Sequence, residues 1–290
     1  MEKRCAFLTM EDLGDFFAYD HLLHEPMQQH GWSVIDVPWT DDTDWAAFDA
    51  VVIRSPWDYQ SNPERFLEVL DEVEKSPAKL FNSLEICRWN LDKVYLRDLQ
   101  ERGVRIIPTQ WIDRLNEDTL SELLDGADQI VVKPRVGAGA DDTFVISRKR
   151  SESTEKALDI YSAKPLMVQP FVPSIQTVGE MSLFYFAGQY SHSIIKRPKL
   201  GDFRVQEEHG GVIEAIVPSK SHLQIGQQAM DAISERLLYA RVDVVRLPSD
   251  ELAVIELELI EPSLYFPFDV ESPQRFVDAF CQMMDDTAEG

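Results

Sequence analysis

The segment 131–143 constrains the fold of this 290-residue chain most strongly. It begins with Val-Val-Lys-Pro and continues into a loop of glycine, alanine and aspartate, after which residues 143–147 again look extended. Small loop residues let the backbone approach an anion closely, and Lys133 would supply the compensating charge. The segment therefore predicts two strands joined either by a phosphate-binding loop or by an ordinary hairpin turn.

The same segment matches neither of the common nucleotide-binding fingerprints. A Walker loop places its lysine after the last glycine, and a Rossmann loop places three glycines between a strand and a helix. Here Lys133 precedes the glycines, and a second strand follows them. The segment therefore has to be interpreted together with other parts of the chain.

The acidic composition limits the partners of the chain. It has 51 Asp and Glu against 28 Lys and Arg, which gives a formal net charge of -23. Such a charge repels nucleic acids and anionic membranes, so we expect neither as a partner. It would also repel a nucleotide, so a nucleotide site must gather lysines and arginines locally and hold divalent cations. The alternative is that the acidic surface simply keeps the chain soluble.

Other general features predict a cytoplasmic protein. No apolar run approaches the roughly 20 residues of a membrane span, and the apolar stretch at 6–8 is too short for a signal peptide. Three widely spaced cysteines, Cys5, Cys87 and Cys281, predict neither disulfides nor a structural zinc site. The sequence leaves the oligomeric state open, although a homodimer is the commonest closed assembly.

Strand and helix patterns alternate along the chain. Up to about residue 85, three strands separated by helical segments predict a small parallel α/β domain. The elements predicted beyond it include a short strand at 104–107, an antiparallel pair within 180–195, a helix at 221–239 and two strands at 241–246 and 252–260.

The loop after the third strand offers a candidate substrate site. Ligands bind at the carboxyl ends of the strands in open α/β sheets, and Arg54, Trp57 and Asp58 lie there. A cation, an acid and aromatic rings suit an amino acid or a similar zwitterion, with Arg54 clamping a carboxylate. The alternative is a structural turn whose Trp57 packs between domains.

A second group of candidate residues lies in the last two strands. Asp243 is on one of them, and Glu256 and Glu258 alternate on the next, so that the glutamates share a face. Carboxylate oxygens are hard ligands that suit Mg²⁺. Because apolar residues surround the glutamates, unpaired charges here would be costly. The alternative is a half-exposed strand whose acids face water.

The order of these motifs resembles the ATP-grasp superfamily, and most of all its glutathione synthetase-like branch. The resemblance extends over about residues 80–266 and rests on Asn90-x-Asp92-Lys93, Val132-Lys133-Pro134 with Gly137-Ala138-Gly139, Gln169-Pro170-Phe171-Val172, Asp243, and Glu256-x-Glu258 with Pro262. The chain is also similar to the cycloserine-biosynthesis (O-ureido-serine) cyclo-ligases, through Arg88-Trp89-Asn90, Lys196-Arg197-Pro198 and the segment 256–265.

The resemblance implies a fold and a domain organisation. The fold class would be α/β (α+β), with a small N-terminal parallel α/β domain followed by two α+β subdomains that clasp ATP. The implied boundaries are 1–85 for the N-terminal domain, 86–172 for the central subdomain with the phosphate loop, and 173–290 for the C-terminal subdomain with the metal site. The implied cofactors are ATP and two Mg²⁺ ions, with Mn²⁺ as an alternative.

The resemblance also implies roles for individual residues. The ATP site would be formed by Lys93, Lys133, Gly137, Ala138, Gly139, the hinge Gln169, Pro170, Phe171 and Val172, and Glu180 near the ribose. The metal ligands would be Asp243, Glu256 and Glu258. The residues facing the reacting phosphate or the substrate would be Arg204, Lys196, Arg197, Gly210 and Gly211. For Lys196 and Arg197, solvated charges on a hairpin are the alternative.

The implied activity is that of an ATP-dependent carboxylate ligase. The γ-phosphoryl group would activate a small-molecule carboxylate, and an amine would displace phosphate to form an amide-type C–N bond, either between molecules or within one. Ser182 and Glu258 stand where glutathione synthetases commonly carry arginine and asparagine, so we do not expect their substrate. The alternatives are a phosphotransferase that releases a phosphorylated product and a nucleotide-binding partner protein without turnover.

Overall fold

A four-stranded parallel sheet forms the first part of the fold. The computed structural model describes residues 3–14, 16–137, 139–199, 202, 204–207 and 210–288. The elements of the first part are β1 (Lys3–Thr9), α1 (His24–Gln29), β2 (Trp32–Pro38), β3 (Ala50–Ser55), α2 (Pro63–Lys75) and β4 (Lys79–Phe81), with 3-10 turns at Asp20–Leu23, Trp45–Ala47 and Tyr59–Ser61. The strand order is β2-β1-β3-β4. The predicted parallel α/β arrangement is confirmed.

Helix α2 shows how local sequence sets these elements. The Asn62 side chain accepts a hydrogen bond from the Arg65 backbone N–H at 3.3 Å, and Pro63 occupies the first turn. Both features are typical of helix starts. Phe66 and Leu70, four residues apart, are fully buried and attach the helix to the sheet.

The second part of the chain contains an antiparallel sheet. Its elements are α3 (Leu84–Leu91), α4 (Tyr95–Glu101), β5 (Gln110–Ile112), α5 (Glu117–Asp125), β6 (Gln129–Pro134), β7 (Phe144–Ser147), α6 (Glu152–Ile160) and β8 (Leu166–Pro170), in the strand order β5-β8-β6-β7. Strands β6 and β7 pair antiparallel, with Val132 opposite Phe144. The prediction that the glycine-containing loop joins two strands is therefore confirmed.

The third part contains a five-stranded sheet. Its elements are α7 (Ser174–Thr177), β9 (Glu180–Phe186), β10 (Gln189–Arg197), β11 (Val212–Ala215), α8 (Lys220–Asp231), β12 (Tyr239–Arg246), β13 (Leu252–Glu258) and α9 (Ser272–Ala288), with a 3-10 turn at Phe266–Phe268. The strand order is β11-β10-β9-β12-β13, and neighbouring strands pair antiparallel. Each of the three sheets falls within one predicted domain range, while the boundaries themselves stay a prediction.

Strand β13 lies at the edge of its sheet, and side chains complete that edge. The Asn90 amide donates to the Leu257 carbonyl at 2.9 Å and accepts from the Leu259 N–H at 2.8 Å. The Tyr95 hydroxyl accepts from the Leu257 N–H at 3.0 Å, and the Asn82 amide donates to the Leu259 carbonyl at 2.8 Å. On the side of β13 that faces away from β12, side chains therefore form the hydrogen bonds that a further strand would otherwise make.

Helix α9 joins the end of the described chain to its first sheet. Phe276 and Phe280 are fully buried in one core cluster with Phe7 of β1. The rings of Trp32 and Phe280 pack edge to face, with their centroids 4.8 Å apart. The first sheet therefore completes its hydrophobic core with residues that lie more than 240 positions later in the chain.

Some predicted elements are wrong. Residues 104–107 do not form a strand; one isolated bridge, Ile106 to Val254, places this segment beside β13. The helix predicted at 221–239 ends at Asp231, because Leu237 and Leu238 are needed in the core and β12 begins at Tyr239. Helix α9 was not predicted.

Two general expectations concern membranes and cysteines. None of the described helices combines the length and the apolar character needed to cross a membrane. Cys5 and Cys87 are buried free thiols, and Cys281 is a partly buried one.

A buried histidine on β10 links the stability of this fold to pH. The His192 ring stacks on Phe184 with a centroid distance of 4.3 Å, and its Nε2 lies 2.9 Å from the Leu264 carbonyl oxygen. Burial lowers the pKa of His192 to about 4 from its ordinary value of 6.5. The folded state therefore keeps the ring neutral at pH values at which the unfolded chain takes up a proton.

We expect this difference to reduce stability as the pH falls from about 6.5 towards 4. Between pH 7 and pH 5, the free energy of unfolding should fall by about 2 kcal/mol because of His192. The stabilisation is fully present only above the pKa that the ring has in the unfolded chain. Urea unfolding at both pH values measures it, with His192→Gln as the non-titrating control. The variant should lose less stability than the parent over this interval. Equal losses in both proteins would contradict the prediction.

Candidate active site

One cleft is lined by all three parts of the chain, and its charged side chains come from the second and third parts. The basic side chains that line it are Lys93, Lys133, Lys196, Arg204 and Arg241, and its acids include Glu180, Asp243, Glu256, Glu258 and Glu261. Phe16, Phe17, Trp57 and Tyr59 line it from the first part of the chain. The local gathering of cations that a nucleotide site requires in so acidic a protein is therefore present.

Three carboxylates converge where β12 pairs with β13. Asp243 lies opposite Glu256 in the register of these strands, and Glu258 follows two residues later on the same face. One oxygen from each of the three carboxylates lies within 4.8 Å of the others. The predicted convergence is confirmed, whereas metal binding by these residues stays a prediction.

Each of these carboxylates has a basic partner. Lys93 Nζ pairs with Glu256, and Lys196 Nζ lies 3.1 Å from Asp243 Oδ2 and 2.5 Å from Glu180 Oε1. The third partner is Arg241, whose Nη2 lies 3.1 Å from Asp243 Oδ2 and also contacts Glu258. The cluster is therefore a network of alternating charges.

The network shifts the pKa values of its members in opposite directions. Burial alone would lower the pKa of Lys196, but Asp243 and Glu180 outweigh it and raise that pKa above its ordinary value. Burial would raise the pKa of Asp243, but Arg241 and Lys196 hold it well below its usual range. For Glu258, burial dominates and, against the opposing effect of Arg241, raises the pKa to about 8. The network as it stands therefore holds more carboxylate groups than its cations fully balance.

Lys133 and the glycines after it lie on another wall of the cleft. Burial lowers the pKa of Lys133, and Glu256 partly opposes this effect. Lys133 forms no ion pair with any acid of the described residues. Gly137 and Gly139 line the cleft, and Gly139 has a φ of +63° that favours glycine, while Ala138 lies outside the described residues. A lysine of this kind is available for an anionic ligand.

The predicted hinge also lies in the cleft. Its lining residues are Gln169, Pro170, Phe171 and Val172. The Gln169 amide donates to Thr109 Oγ1 at 2.9 Å, and the Phe171 N–H donates to the Gln129 carbonyl at 3.0 Å. These bonds fix the hinge backbone, and its role in binding adenine stays a prediction.

Two known protein families match successive parts of the chain. Residues 92–260 match the family described as the prokaryotic glutathione synthetase ATP-grasp domain, and residues 5–82 match the N-terminal domain of D-cycloserine synthetase DcsG. The chain is 31% identical to the cycloserine biosynthesis protein DcsG of Streptomyces lavendulae over 265 residues, which cover 85% of this chain and 87% of that protein. The chain belongs to the ATP-grasp family.

Solved structures agree with this assignment. The crystal structure of D-cycloserine synthetase DcsG superposes with a TM-score of 0.84 at 27% identity, covering 97% of this chain and 99% of that one. D-alanine–D-alanine ligase from Bacillus anthracis, in complex with ATP, has a TM-score of 0.70 at 14% identity over the full length of both chains, which shows the shared fold alone.

The family assignment confirms several predictions made from the motifs. The fold class is that of the ATP-grasp ligases, and the chain is an ATP-dependent ligase that forms a C–N bond. The glutathione synthetase of Bordetella parapertussis is a more distant relative, at 22% identity over 209 residues that cover 71% of this chain and 64% of that protein.

The structure contradicts the prediction that Arg54 clamps a substrate carboxylate in this ATP-grasp enzyme. Arg54 is 1% exposed and does not line the cleft. Its Nε donates to Asp20 Oδ1 at 2.9 Å, and its guanidinium lies 5.2 Å from the centre of the Tyr239 ring. Asp58 is also outside the cleft, because its Oδ1 accepts from the Trp39 indole at 2.7 Å. Trp57 alone of the three predicted residues lines the cleft.

Arg197 and the glycine pair are likewise placed away from the cleft. The side chain of Arg197 points away from Lys196 in the alternation of β10, donates to the Val178 carbonyl at 3.1 Å and pairs with Glu214. A Cβ at Gly211 would lie 2.1 Å from the Val205 carbonyl oxygen. The close approach at Gly211 is therefore made to the chain's own backbone, and neither Gly210 nor Gly211 lines the cleft.

Arg204 does line the cleft, as predicted, and its guanidinium is held by Asp202, with Nη2 2.8 Å from Oδ2. Its role towards phosphate stays a prediction, as does that of Lys196. Arg241 is the main residue that the motifs did not reveal. It lies two positions before Asp243 and opposite Glu258 in the strand register, so strand alternation alone could have found it.

A substitution of Lys133 tests directly whether this residue and the loop after it bind phosphate. We expect Lys133→Ala to weaken binding of a non-hydrolysable ATP analogue by about 10- to 100-fold, because a charge-assisted hydrogen bond to phosphate is lost. Titration calorimetry measures the change. Lys149→Ala, which alters an exposed lysine, is the matched control and should bind the analogue normally. An unchanged affinity in Lys133→Ala would contradict the assignment of the phosphate-binding loop.

Arg241 provides a test of the charge network. We expect Arg241→Leu to lower the free energy of unfolding by about 3–5 kcal/mol, because Asp243 and Glu258 are left without their shared cation. Millimolar Mg²⁺ should restore part of this loss in urea unfolding, and should have less effect on the parent protein.

The matched control is Arg236→Leu, which removes an exposed ion pair with Asp286. It should cost no more than about 1 kcal/mol and should show no specific response to Mg²⁺. Similar losses in both arginine variants, or a loss at Arg241 that Mg²⁺ leaves unchanged, would show that Arg241 does not balance the carboxylates.

Proposed function

We propose that this ligase activates the carboxyl group of a small amino acid as an acyl phosphate and closes the C–N bond within the same molecule. The observation that carries the proposal is the likeness to DcsG over both parts of the chain, including the N-terminal domain. That domain supplies the aromatic wall of the cleft, with Phe16, Trp57 and Tyr59. The N-terminal domain therefore supports cyclisation in particular, because the ATP-grasp part is common to ligases with different substrates.

The donor set at β12 and β13 fits the divalent ions that ATP-grasp enzymes use. Asp243, Glu256 and Glu258 offer hard oxygen ligands within 4.8 Å of one another, and the cleft is open to a ligand that brings further oxygens. We propose that these residues hold Mg²⁺, which suits sites shared with phosphate oxygens, with Mn²⁺ as an alternative. When bound, such ions withdraw charge from the phosphate groups.

The basic side chains of the cleft have distinct tasks in the proposed reaction. Transfer of the γ-phosphoryl group to a carboxylate brings negative groups together, and fixed cations stabilise the charge that develops. Lys133 is available for a phosphate, and Lys93 would exchange Glu256 for one. Arg204 would face the transferred group. An amine of the same substrate then attacks the acyl carbon, and phosphate leaves with the former carboxylate oxygen.

The cleft must also exclude water, because water would hydrolyse the acyl phosphate. Gly137 and Gly139 lie on one wall, and Phe16 and Phe17, which are 40% and 55% exposed, lie on another. We propose that these segments close over the bound substrates, which is the usual task of glycine-containing loops and exposed apolar residues at an active-site entrance.

A product analysis across a panel of amino acids tests the proposal. With ATP and Mg²⁺, we expect a suitable amino acid to release ADP and phosphate and to yield a cyclic product, without a separate amine. Glu256→Gln should reduce the rate by about 10²-fold or more, because a residue that organises the transferring phosphate loses its charge.

Glu214→Gln is the matched control, since Glu214 pairs with the exposed Arg197 outside the cleft. Its rate should equal that of the parent enzyme. A requirement for a separate amine would replace cyclisation by ligation between two molecules. Accumulation of a stable phosphorylated product would instead show a phosphotransferase.

A further inference from the structure

Glu261 lies next to the paired carboxylates of the cleft but, among the described residues, no Lys or Arg forms an ion pair with it. Lys196, Lys93 and Arg241 pair with the neighbouring carboxylates, which are those of Glu180, Asp243, Glu256 and Glu258. Glu261 lines the same cleft but forms no ion pair with a Lys or Arg in the part of the chain that the structure describes. Its charge therefore lacks the direct ion pair that each of these four carboxylates has.

The groups that are hydrogen-bonded to Glu261 are neutral, while Lys93 and Arg241 act on its charge only from a greater distance. The Tyr59 hydroxyl is hydrogen-bonded to its carboxylate, and the Gln60 amide nitrogen lies 3.5 Å from Oε1. The Trp57 indole N–H donates to the backbone carbonyl of Glu261 at 2.8 Å. These contacts fix the position of Glu261 without neutralising it. Burial accordingly raises the pKa of Glu261 to about 7.

Aromatic residues line the same part of the cleft as Glu261. Trp57 and Phe16 pack against each other with a centroid distance of 5.6 Å, and both line the cleft together with Tyr59. Aromatic faces attract cations, and the attraction is strongest for tryptophan. A carboxylate without a paired Lys or Arg, in a cleft that aromatic rings also line, has the chemistry of a site for an organic ammonium ion.

We propose that Glu261, with the aromatic ring of Trp57, binds the ammonium group of the substrate. The inference deepens the proposed function and rests on it in one respect, namely that the substrate is an amino acid. The ammonium group is recognised here and is not consumed, so the substrate carries a free primary amine in addition to the groups that react.

The spacing along the chain limits the size of that substrate. Glu261 lies three positions after Glu258 of the carboxylate cluster, and an extended chain spans at most about 3.5 Å per residue. Their Cα atoms are therefore no more than about 11 Å apart. An ammonium group at Glu261 and a carboxyl group near the phosphates then belong to one small molecule, such as an α-amino acid.

Titration calorimetry in the presence of Mg²⁺ and a non-hydrolysable ATP analogue tests the site directly. The probes are serine and alanine in both configurations, their N-acetyl derivatives, and glycerate and lactate as analogues without the amine. We expect binding by at least one free amino acid, and an affinity at least about 10-fold lower for its N-acetyl and amine-free counterparts, because an ion pair is lost.

Glu261→Gln keeps the size of the side chain and its capacity to accept from Tyr59 and Gln60, but removes the charge. We expect it to weaken amino-acid binding by about 10- to 100-fold while leaving the affinity for the ATP analogue unchanged. Glu214→Gln is again the matched control and should bind both ligands normally. A normal affinity for the ATP analogue also shows that the variant is folded.

The outcomes separate this inference from the proposed function. The ammonium site is overturned if no probe amino acid binds, or if the N-acetyl or amine-free analogues bind as tightly as the free amino acid. It is also overturned if Glu261→Gln binds the amino acid with full affinity. Amino-acid binding that depends on Glu261 in an enzyme that forms no cyclic product would support the site and remove the proposed cyclisation. A cyclic product formed with equal KM by the parent enzyme and by Glu261→Gln would support the proposed cyclisation and overturn the ammonium site.

Discussion

The active site depends on the edge of β13, where side chains take the place of a neighbouring strand. Asn90, Tyr95 and Asn82 satisfy the backbone of Leu257 and Leu259. Each buried polar group left unpaired there would cost about 1–3 kcal/mol, so a shift of this segment by one residue is strongly disfavoured. Because the register is fixed, Glu256 and Glu258 are held on the face that looks into the cleft.

Because the strand edge is fixed, the charged groups of the network can change partners when a ligand binds while their positions stay the same. In the ligand-free chain each carboxylate of the network is paired with Lys93, Lys196 or Arg241. In the proposed function, phosphate oxygens would take over Lys93, and metal ions would take over the carboxylates it leaves. Partners are exchanged while the total charge changes little, which keeps so acidic a chain compatible with a highly anionic ligand.

The sequence predicts those features that follow from local pattern. Alternation along β13 places Glu256 and Glu258 together, and the order of valines, lysine and glycines predicts the strand–loop–strand around Lys133. Contacts between residues that are far apart in the sequence cannot be predicted from local pattern. Arg54 has the chemistry of a carboxylate clamp, yet Asp20 and the ring of Tyr239 enclose it in the core. The role proposed for Glu261 depends on the lack of an ion pair within the described residues, which no sequence motif can show.

The packing of α9 has a consequence for the way the chain folds during synthesis. Phe7 and Trp32 emerge from the ribosome early, but their partners Phe276 and Phe280 are translated near the end of the described chain. Until then the first sheet exposes an apolar face, at a stage when exposed strands are prone to aggregate. Folding of the N-terminal part is therefore coupled to completion of the C-terminal one, and a ribosome-stalled fragment without α9 would depend on chaperones to stay in solution.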